Sequence, residues 1–333
     1  MRTAPIRDQA RSPSWPDADA CASVVVATHD RSAFLPELLD ALAAQTVPVE
    51  VIVADDGSTD DTWQVLGCRA ADSELPLLAL RLPASGGPSV PRNSAAAYAR
   101  TEVLVLTDDD CLPDPGWAAA LLAGLGDRAI GQGRTVPAGA RTGPWDRTIE
   151  VTAPSGLFET CNLALRRDVF VELDGFPILD LLPDQARGFG EDVVLGTRAA
   201  RRGGLAWVPD ALVRHRWLPT TYAEHLDGVR RLSGFPWLAR ELPEVAELLV
   251  GGLFLSRRTA VFDAAAASLL AAAATRRPWL AVGAAPWLVD RLGSARGRPG
   301  RSVAVRLAQE AVADAVGLGS LVRGSLRHRR PVL

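Results

Sequence analysis

The alternation of strand-like and helix-like segments in residues 23–107 constrains the fold more than any other feature of the chain. Short runs rich in Val and Leu are each followed by a stretch with apolar residues at helical spacing. This order predicts an α/β domain with a mostly parallel sheet flanked by helices. The predicted strands are 23–27, 49–54, 77–82 and 103–107, and the predicted helices are 34–44, 59–71 and 91–100.

The length and composition of the chain suggest three regions. At 333 residues it can hold one large domain and an appended region. We predict a disordered leader at 1–20, where Pro, Asp and Arg are frequent, the α/β domain at 21–218, and a helical C-terminal region at 219–333. A net charge of −3 gives no case for a nucleic-acid partner, and four scattered cysteines favour reduced thiols and a cytoplasmic location.

Residues 245–290 raise the question of membrane contact. An Ala- and Leu-rich run lies between Arg pairs at 257–258 and 276–277, and the apolar segment 278–289 follows it. Neither run reaches the roughly 20 apolar residues of a spanning helix, and Asp263 interrupts the first. A helical hairpin packed on the main domain is the leading interpretation. Peripheral contact with the inner face of the membrane comes second, and a true span comes last.

Polar residues directly follow three of the predicted strands. They are Thr28-His29-Asp30 after the first strand, Asp55-Asp56 after the second, and Asp108-Asp109-Asp110 after the fourth. Parallel strands bring their carboxyl ends to one edge of a sheet, where ligands of open α/β sheets bind. The sequence therefore predicts a polar ligand site at this edge.

The three consecutive carboxylates at 108–110 are the sharpest of these signals. They repel one another, so a cation is expected to compensate their charge. A divalent ion with oxygen ligands that also bridges substrate phosphates satisfies this requirement. The alternative is a turn that tolerates acids, because Pro113-Asp114-Pro115 follows.

Three further segments give weaker signals. The glycine turn Ser85–Pro88 precedes Arg92, whose side chain can hold a phosphate together with backbone amides. Glu191 and Asp192 begin a predicted helix, where acids are common for dipole reasons alone, but a carboxylate beside a phosphate and metal site can also act as a general base. His215 is a candidate metal ligand, a core residue or a surface residue.

These segments resemble the family 2 inverting glycosyltransferases of the GT-A fold over residues 23–217. Five stretches occur in the order expected for that family, and together they are far more specific than any one alone. They are ATHDRSAFLPELLDALAAQTVPVEVIVADDGSTDDT, GGPSVPRNSAAAYA, TDDDCLPDPGW, GLFETCNLALRRDVFVELDGF and GFGEDVVLGTRAARRG.

The resemblance implies a nucleotide-sugar donor, with a UDP-sugar favoured over a GDP- or dTDP-sugar, and Mn²⁺ or Mg²⁺. It implies that Asp108 and Asp110 are the outer residues of a DxD metal motif, with His215 near the metal or diphosphate. Asp192 is then the general base, with Glu191 as the fallback, and Trp217 lines the acceptor side. The remaining donor contacts implied are Thr28, His29, Asp30, Arg31, Asp55, Asp56 and Asp109.

Two departures and three alternatives accompany this interpretation. The opening turn reads THDR, where the family often has an aromatic and Asn before Arg. The segment RHRW matches the processive members only loosely, which favours transfer of one sugar to a small-molecule, glycan or lipid-carrier acceptor. The alternatives are an inactive nucleotide-sugar-binding protein, a nucleotidyltransferase that makes nucleotide-sugars, and a phosphatase-like hydrolase. The last two lack an expected feature: a basic glycine-rich loop near the N-terminus for the nucleotidyltransferase, and enough His or Asp ligands for the hydrolase.

Overall fold

A computed structural model describes residues 1–16, 19–72, 74–181, 188–296 and 302–333. The chain divides into two compact units, which differ from the predicted regions in their bounds. The first unit comprises Met1–Ala140 and Thr148–Trp217, and the second comprises Arg141–Arg147 and Leu218–Leu333. The short segment Arg141–Arg147 therefore belongs with the C-terminal helices.

The first unit is built on a mixed sheet of nine strands among the described residues, in the order β1-β4-β3-β2-β5-β8-β7-β9-β6. Strands β4, β3, β2 and β5 are mutually parallel, whereas β8 is antiparallel to β5 and to β7. The strands are β1 (Asp8–Arg11), β2 (Ala22–Thr28), β3 (Val49–Asp55), β4 (Leu77–Arg81), β5 (Val103–Leu106), β6 (Cys111–Pro113), β7 (Ile130–Ala138), β8 (Leu163–Arg166) and β9 (Leu205–Arg216).

Helices cover both faces of this sheet, which is why β3 is buried along its whole length. Val51 and Val53 pack into one apolar cluster, and Ile52 and Ala54 pack into another on the opposite face. The helices of the first unit are α1 (Leu35–Ala43), α2 (Thr62–Asp72), α3 (Ser89–Ala96), α4 (Trp117–Leu125), α5 (Arg167–Glu172) and α6 (Glu191–Gly203).

Helix α1 shows how the apolar spacing of the sequence becomes packing. Leu35, Leu38, Leu39 and Leu42 recur at helical spacing, and all four are fully or almost fully buried. Burial of each Leu side chain stabilises the fold by about 2 kcal/mol before entropy is subtracted. This packing fixes the turn between β2 and α1 at the edge of the sheet.

The prediction that residues 1–20 form a disordered leader is wrong for residues 8–11. These residues form β1, which pairs antiparallel with β4 at the edge of the sheet. Arg7 and Ser12 extend the pairing through backbone N–H groups that donate to Arg81 and Leu77 carbonyls at 2.8 and 2.9 Å. Because an edge strand can leave its side chains in solvent, its polar composition resembles that of a disordered segment. Residues 17 and 18 lie outside the described residues.

Strand β9 also differs from its predicted form. The sequence predicts two brief strands at 205–208 and 211–214, but one strand runs from Leu205 to Arg216. Its pairing with β7 shifts between Gly133 and Arg134, so that the segment Pro209–Ala211 bulges from the ladder. Bulges of this kind bend a strand and re-aim its side chains. The continuation past the bulge carries His215 to a position opposite Cys111 of β6.

The second unit is helical, as predicted for residues 219–333. Short 3₁₀ helices at Arg231–Gly234 and Pro278–Ala284 connect its longer helices. Within the described part of the chain, no helix combines the length and apolar content that a membrane crossing requires. The helices are α7 (Tyr222–Arg230), α8 (Phe235–Glu241), α9 (Pro243–Glu247), α10 (Arg257–Thr275), α11 (Ala285–Arg296) and α12 (Val303–His328).

Candidate functional site

The turns after β2 and β3 are tied together by hydrogen bonds. Asp30 has a φ of 51° and accepts hydrogen bonds from the backbone N–H groups of Thr59 and Asp60 at 2.7 and 3.2 Å. These bonds, the one from Thr59 foremost, lower the pKa of Asp30. The backbone N–H of Arg31 donates to the Thr62 hydroxyl at 2.8 Å. Asp30 thus shapes the edge of the sheet from an exposed position.

Asp55 and Asp56 differ in their surroundings although they are neighbours. Asp55 is completely buried; its Oδ1 accepts from the Ser58 N–H at 2.8 Å, and its Oδ2 lies 3.6 Å from the Arg81 guanidinium. This geometry makes Asp55 a support for the turn. Asp56 faces the glycine turn, where it accepts from Ser85 Oγ at 2.8 Å and from Gly86 and Gly87 N–H groups at 3.0 and 3.2 Å.

Burial raises the pKa of Asp56, although the bonds from Gly86 and Ser85 oppose this effect. Gly57, in the turn after β3, has a φ of 71° and lies against the turn after β4. A Cβ at this position would lie 2.8 Å from backbone atoms of Ala84. The residue after Asp56 must therefore be Gly for the two turns to approach so closely.

His29 and Arg31 lie on the same edge. Nδ1 of His29 is 2.9 Å from the Asp56 carbonyl oxygen, so this nitrogen carries the proton and donates. The side chain of His29 is almost half exposed. Arg31 stacks over Phe34 at 5.6 Å and places its Nε 3.5 Å from Asp109. The structure therefore brings the polar ends of β2, β3 and β5 together, as the parallel topology predicts.

Arg92, for which a phosphate contact is predicted, lies between two carboxylates. Its guanidinium is buried, and it bridges Asp108 Oδ1 at 2.8 Å and Glu191 Oε1 at 3.4 Å. Burial alone would lower its pKa, but the two carboxylates outweigh that effect and raise it. Asp108 also accepts from the Thr160 hydroxyl at 3.4 Å. Arg92 therefore connects Asp108–Asp110, which we call the acidic triplet, to the N-terminus of α6.

The three carboxylates of the acidic triplet, Asp108–Asp110, affect one another electrostatically. Burial, followed by the charge of Asp110, raises the pKa of Asp109 to about 7, although Arg31 lies nearby and opposes the shift. Carboxylates that crowd one another in this way are stabilised by a bound cation.

Asp110, which precedes β6, lies close to His215 of β9. His215 is 4% exposed, and its Nε2 lies 3.3 Å from Asp110 Oδ1. Its Nδ1 donates to the Arg216 carbonyl at 2.9 Å. Nε2 therefore faces the carboxylate either as a protonated nitrogen or with a lone pair that a cation can accept.

Cys111 completes a group of three side chains whose ligand atoms all lie within 4.8 Å of one another. No sequence pattern points to Cys111, because its approach to His215 depends on the pairing of β6 with β9. Burial, followed by its contact with Cys161, raises the pKa of the Cys111 thiol well above its usual range. A neutral thiol is a poor ligand for a hard divalent ion, whereas carboxylate oxygen and imidazole nitrogen suit Mn²⁺. The donor set of Asp110 and His215 therefore fits the predicted metal.

Helix α6 presents two acids in its first turn, and Arg92 connects one of them, Glu191, to Asp108. Gly190 caps the helix with a φ of 76°, and Glu191 and Asp192 form its first turn. Burial and the charge of Glu191 raise the pKa of Asp192 well above its usual value, and the charge of Glu159 adds to this effect. Glu191 is instead held by Arg92. The raised pKa of Asp192 has the direction expected of a general base.

Glu159 is the residue that sequence reasoning missed at this position. It accepts hydrogen bonds from Gln132 Nε2 at 2.7 Å and from Ser155 Oγ at 2.8 Å. It belongs to the stretch GLFETCN, but nothing in the spacing of that stretch distinguishes its Glu. Trp217 follows β9 and donates from Nε1 to the Gly139 carbonyl at 3.2 Å.

Comparison with known proteins identifies relatives for part of the chain. Residues 23–181 match the family model described as Glycosyl transferase family 2. A poly(ribitol-phosphate) β-N-acetylglucosaminyltransferase, TarS of Staphylococcus aureus strain Mu50, is 39% identical over 91 residues, which are 26% of this chain and 16% of TarS. An uncharacterized glycosyltransferase, YwdF of Bacillus subtilis strain 168, is 32% identical over 95 residues, 28% of this chain and 34% of YwdF. The matched segment thus spans about a sixth to a third of these relatives.

Among solved structures, the mannosyltransferase PcManGT of Pyrobaculum calidifontis, in complex with GDP-Man and Mn²⁺, is similar over 98% of this chain and 90% of its own. The TM-score is 0.55 and the sequence identity is 18%. At this identity the likeness concerns the fold.

Proposed function

Because residues 23–181 match the model of glycosyl transferase family 2, we propose that this protein transfers one sugar from a nucleotide-diphosphate sugar to an acceptor hydroxyl, with inversion at the anomeric carbon. The fold is the predicted GT-A fold followed by C-terminal helices. The proposal extends to a divalent metal, Mn²⁺ or Mg²⁺, as the partner of the donor diphosphate. A UDP-sugar remains the favoured donor, with a GDP- or dTDP-sugar as the alternative.

One observation carries the proposal. The structure gathers the acidic triplet, His215 and the first turn of α6 around a single edge of the sheet, although these residues are separated by up to about a hundred positions in the sequence. Arg92 bridges the triplet and the turn through Asp108 and Glu191. Displacement at an anomeric carbon needs a donor site and a base for the acceptor hydroxyl in one place. This arrangement supports the proposal that both lie here.

The nucleotide would lie across the turns after β2 and β3, the region of Thr28, His29 and Asp56. The Asp56 carboxylate organises the backbone N–H groups of the glycine turn. His29 and Arg31, which are partly exposed, are available to contact the donor. Asp108, Asp110 and His215 are the proposed metal ligands, and a cation held there would offset the negative charge that develops on the leaving diphosphate.

Asp192 would accept the proton of the acceptor hydroxyl. A carboxylate whose pKa is raised by burial and neighbouring charge is a stronger base than an ordinary Asp, and the shift recorded for Asp192 has this direction. Glu191 is held by Arg92 and would position α6. The single displacement needs no covalent enzyme intermediate, so the configuration at the anomeric carbon inverts.

The acceptor class is open among a small molecule, a glycan and a lipid carrier. A cytoplasmic location, with possible contact at the inner face of the membrane, is also a prediction. Contact with the membrane would favour a lipid-carrier acceptor. Trp217 is proposed to line the acceptor side.

The test is to titrate UDP-, GDP- and dTDP-sugars into the purified full chain by calorimetry, with and without Mn²⁺, and to measure nucleotide release with candidate acceptors. Asp192→Asn should retain donor affinity within about twofold while release falls by about a thousandfold, which is within the usual range for loss of a general base. Glu172→Gln, a substitution of an exposed carboxylate elsewhere in the first unit, is the matched control and should leave both unchanged.

Each outcome separates the alternatives. Metal-dependent donor binding with no turnover on any acceptor would favour the inactive nucleotide-sugar-binding protein. Formation of a nucleotide-sugar from a nucleoside triphosphate and a sugar phosphate would favour the nucleotidyltransferase. Absence of binding to every nucleotide-sugar would reject the proposal.

A further inference from the structure

Apolar side chains of the second unit are exposed where α10, the 3₁₀ helix at Pro278–Ala284 and α11 adjoin. Leu270 is 71% exposed, Trp279 64%, Val282 73% and Val289 69%. Isolated exposed apolar residues are ordinary on protein surfaces, but a concentration on adjoining elements is not. We call this set the distal apolar surface; its members are Leu269, Leu270, Trp279, Val282, Leu288 and Val289.

The charged side chains within residues 264–289 are of one sign, and the adjoining Asp290 pairs with Arg291. Residues 264–289 contain no Asp or Glu, and their only charged side chains are Arg276 and Arg277. Both Arg residues are exposed. They lie at the turn between α10 and the 3₁₀ helix, directly before Trp279.

Polar contacts with α12 hold the start of α10 and part of α11, which together we call the hairpin. Arg258, near the start of α10, pairs with Glu310 and Asp314 of α12 at 2.7 and 2.6 Å. Arg291 of α11 lies 3.3 Å from Glu310, and Trp287 Nε1 donates to Asp314 at 2.9 Å. Leu270 lies 12 residues beyond Arg258 on α10, or about 18 Å along the axis at the usual helical rise. The Leu270 end of α10 therefore lies far from the polar contacts of Arg258, whereas Leu288 and Val289 follow Trp287 directly on α11.

We propose that the distal apolar surface docks on a lipid membrane that contains anionic headgroups. The exposed Leu, Val and Trp side chains would enter the interface, where Trp is favoured, while Arg276 and Arg277 would lie at the level of the phosphates. Exposed apolar groups beside Arg276 and Arg277, with no acid between residues 264 and 289, match the chemistry of such an interface. This docking is peripheral, since none of the described helices is long and apolar enough to span.

The alternative occupant is a second copy of the chain. Two copies would bring Arg276 and Arg277 of one chain close to the same pair on the other across a twofold axis, with no acidic residue in 264–289 to compensate. Like charges at close range oppose such an interface. The charge distribution thus favours the membrane.

The test is flotation of the full chain with vesicles of phosphatidylcholine alone and of phosphatidylcholine with phosphatidylglycerol. We expect binding to the anionic vesicles that weakens with salt. Leu270→Ser combined with Trp279→Ser should lower vesicle affinity by about tenfold or more, because apolar area that enters the interface is lost. Arg276→Glu combined with Arg277→Glu should lower it by about fivefold or more per residue at low salt.

Matched controls lie outside the surface. Val171→Ser and Leu326→Ser alter side chains that are 60% and 77% exposed, and Arg323→Glu with Arg327→Glu alters an exposed Arg pair on α12. These variants should bind vesicles like the parent chain. Equal losses in the test and control variants would overturn the proposal, as would failure of the parent chain to bind either vesicle.

Sedimentation equilibrium of the same variants distinguishes the second occupant. A concentration-dependent dimer that dissociates in the Leu270→Ser, Trp279→Ser double variant would assign the surface to another copy and reject membrane docking.

Donor binding is measured in parallel on the same samples. Membrane docking does not depend on sugar transfer, so loss of vesicle binding with intact donor binding rejects this inference alone.

Discussion

At the scale of single residues, the strongest test concerns the environment of Asp192. Its raised pKa comes from burial and from the charges of Glu191 and Glu159. A general base acts only when it is ionised, so activity should rise with pH through this raised pKa and be lost as pH falls below it. Glu159→Gln removes one negative charge, and the acid limb of the pH–rate profile should therefore move to lower pH.

The measurement for Glu159→Gln is the pH dependence of kcat/KM for nucleotide release. The amide retains the shape of the side chain and its contacts with Gln132 and Ser155, so a structural effect alone would change the height of the profile and leave its position in place. An unmoved acid limb would show that Asp192 is not the titrating base. Glu172→Gln, at an exposed position, serves as the control.

The group of Asp110, Cys111 and His215 makes a second prediction at this scale. His215→Ala should weaken Mn²⁺ binding by on the order of tenfold or more, since imidazole nitrogen is one of two well-suited donors. Cys111→Ala should leave Mn²⁺ affinity nearly unchanged, because burial keeps the thiol protonated. Electron paramagnetic resonance titration of Mn²⁺ with donor present measures both. The opposite ranking would make Cys111 the ligand.

At the scale of elements, Gly57 decides whether the turns after β3 and β4 can meet. Gly57→Ala places a Cβ 2.8 Å from the Ala84 backbone at a φ of 71°, and we expect a loss of about 1–3 kcal/mol in the free energy of unfolding, with weaker donor binding. The control is Gly67→Ala in α2, where a Cβ meets no other atom within 4 Å. It should stabilise the chain by about 0.5–1 kcal/mol.

Urea unfolding of both variants and calorimetric titration of donor test this pair. The same methyl group is added in each case, so the difference reports the positive φ and the close Ala84 backbone at Gly57 together. If both substitutions stabilised the chain, the close approach of the two turns would not be a requirement of the fold.

The elements also show what sequence could and could not predict. Strands β2, β3, β4 and β5 were predicted to within one or two residues, because each is a short apolar run bounded by polar turns. β1 was not predicted, since its side chains remain mostly exposed and only its backbone pairs. The single β9 was predicted as two pieces, because Pro209 and Asp210 are typical of a chain break and the sheet absorbs them as a bulge.

The candidate site divides in the same way. The acids after β3 and β5 were predicted because turns at strand ends are local features of the sequence. The pairing of Arg92 with Glu191 joins residues that are 99 positions apart, and the approach of Cys111 to His215 depends on strand register. Contacts of this kind depend on tertiary structure, which residue spacing does not encode.

At the scale of the whole molecule, each compact unit has its own interior, and that of the second unit includes buried charges. Glu310 and Asp314 of α12 have side chains that are only 5% and 6% exposed, and both depend on Arg258 of α10. Arg258→Ala would leave these carboxylates with fewer partners in a poorly solvated environment. We expect a loss of about 2–4 kcal/mol in the free energy of unfolding, close to that for removal of one partner of a buried ion pair.

The control for this prediction is the adjacent Arg257→Ala, since Arg257 is exposed and its loss should change stability by less than about 0.5 kcal/mol. Urea unfolding measures the size of the effect, and hydrogen exchange locates it. Amides of α10 and α12 should exchange faster in Arg258→Ala, whereas amides of β2 and β3 should keep their protection, because the removed contacts all lie within the second unit. Equal effects of the two substitutions would show that the buried pairs do not stabilise that unit.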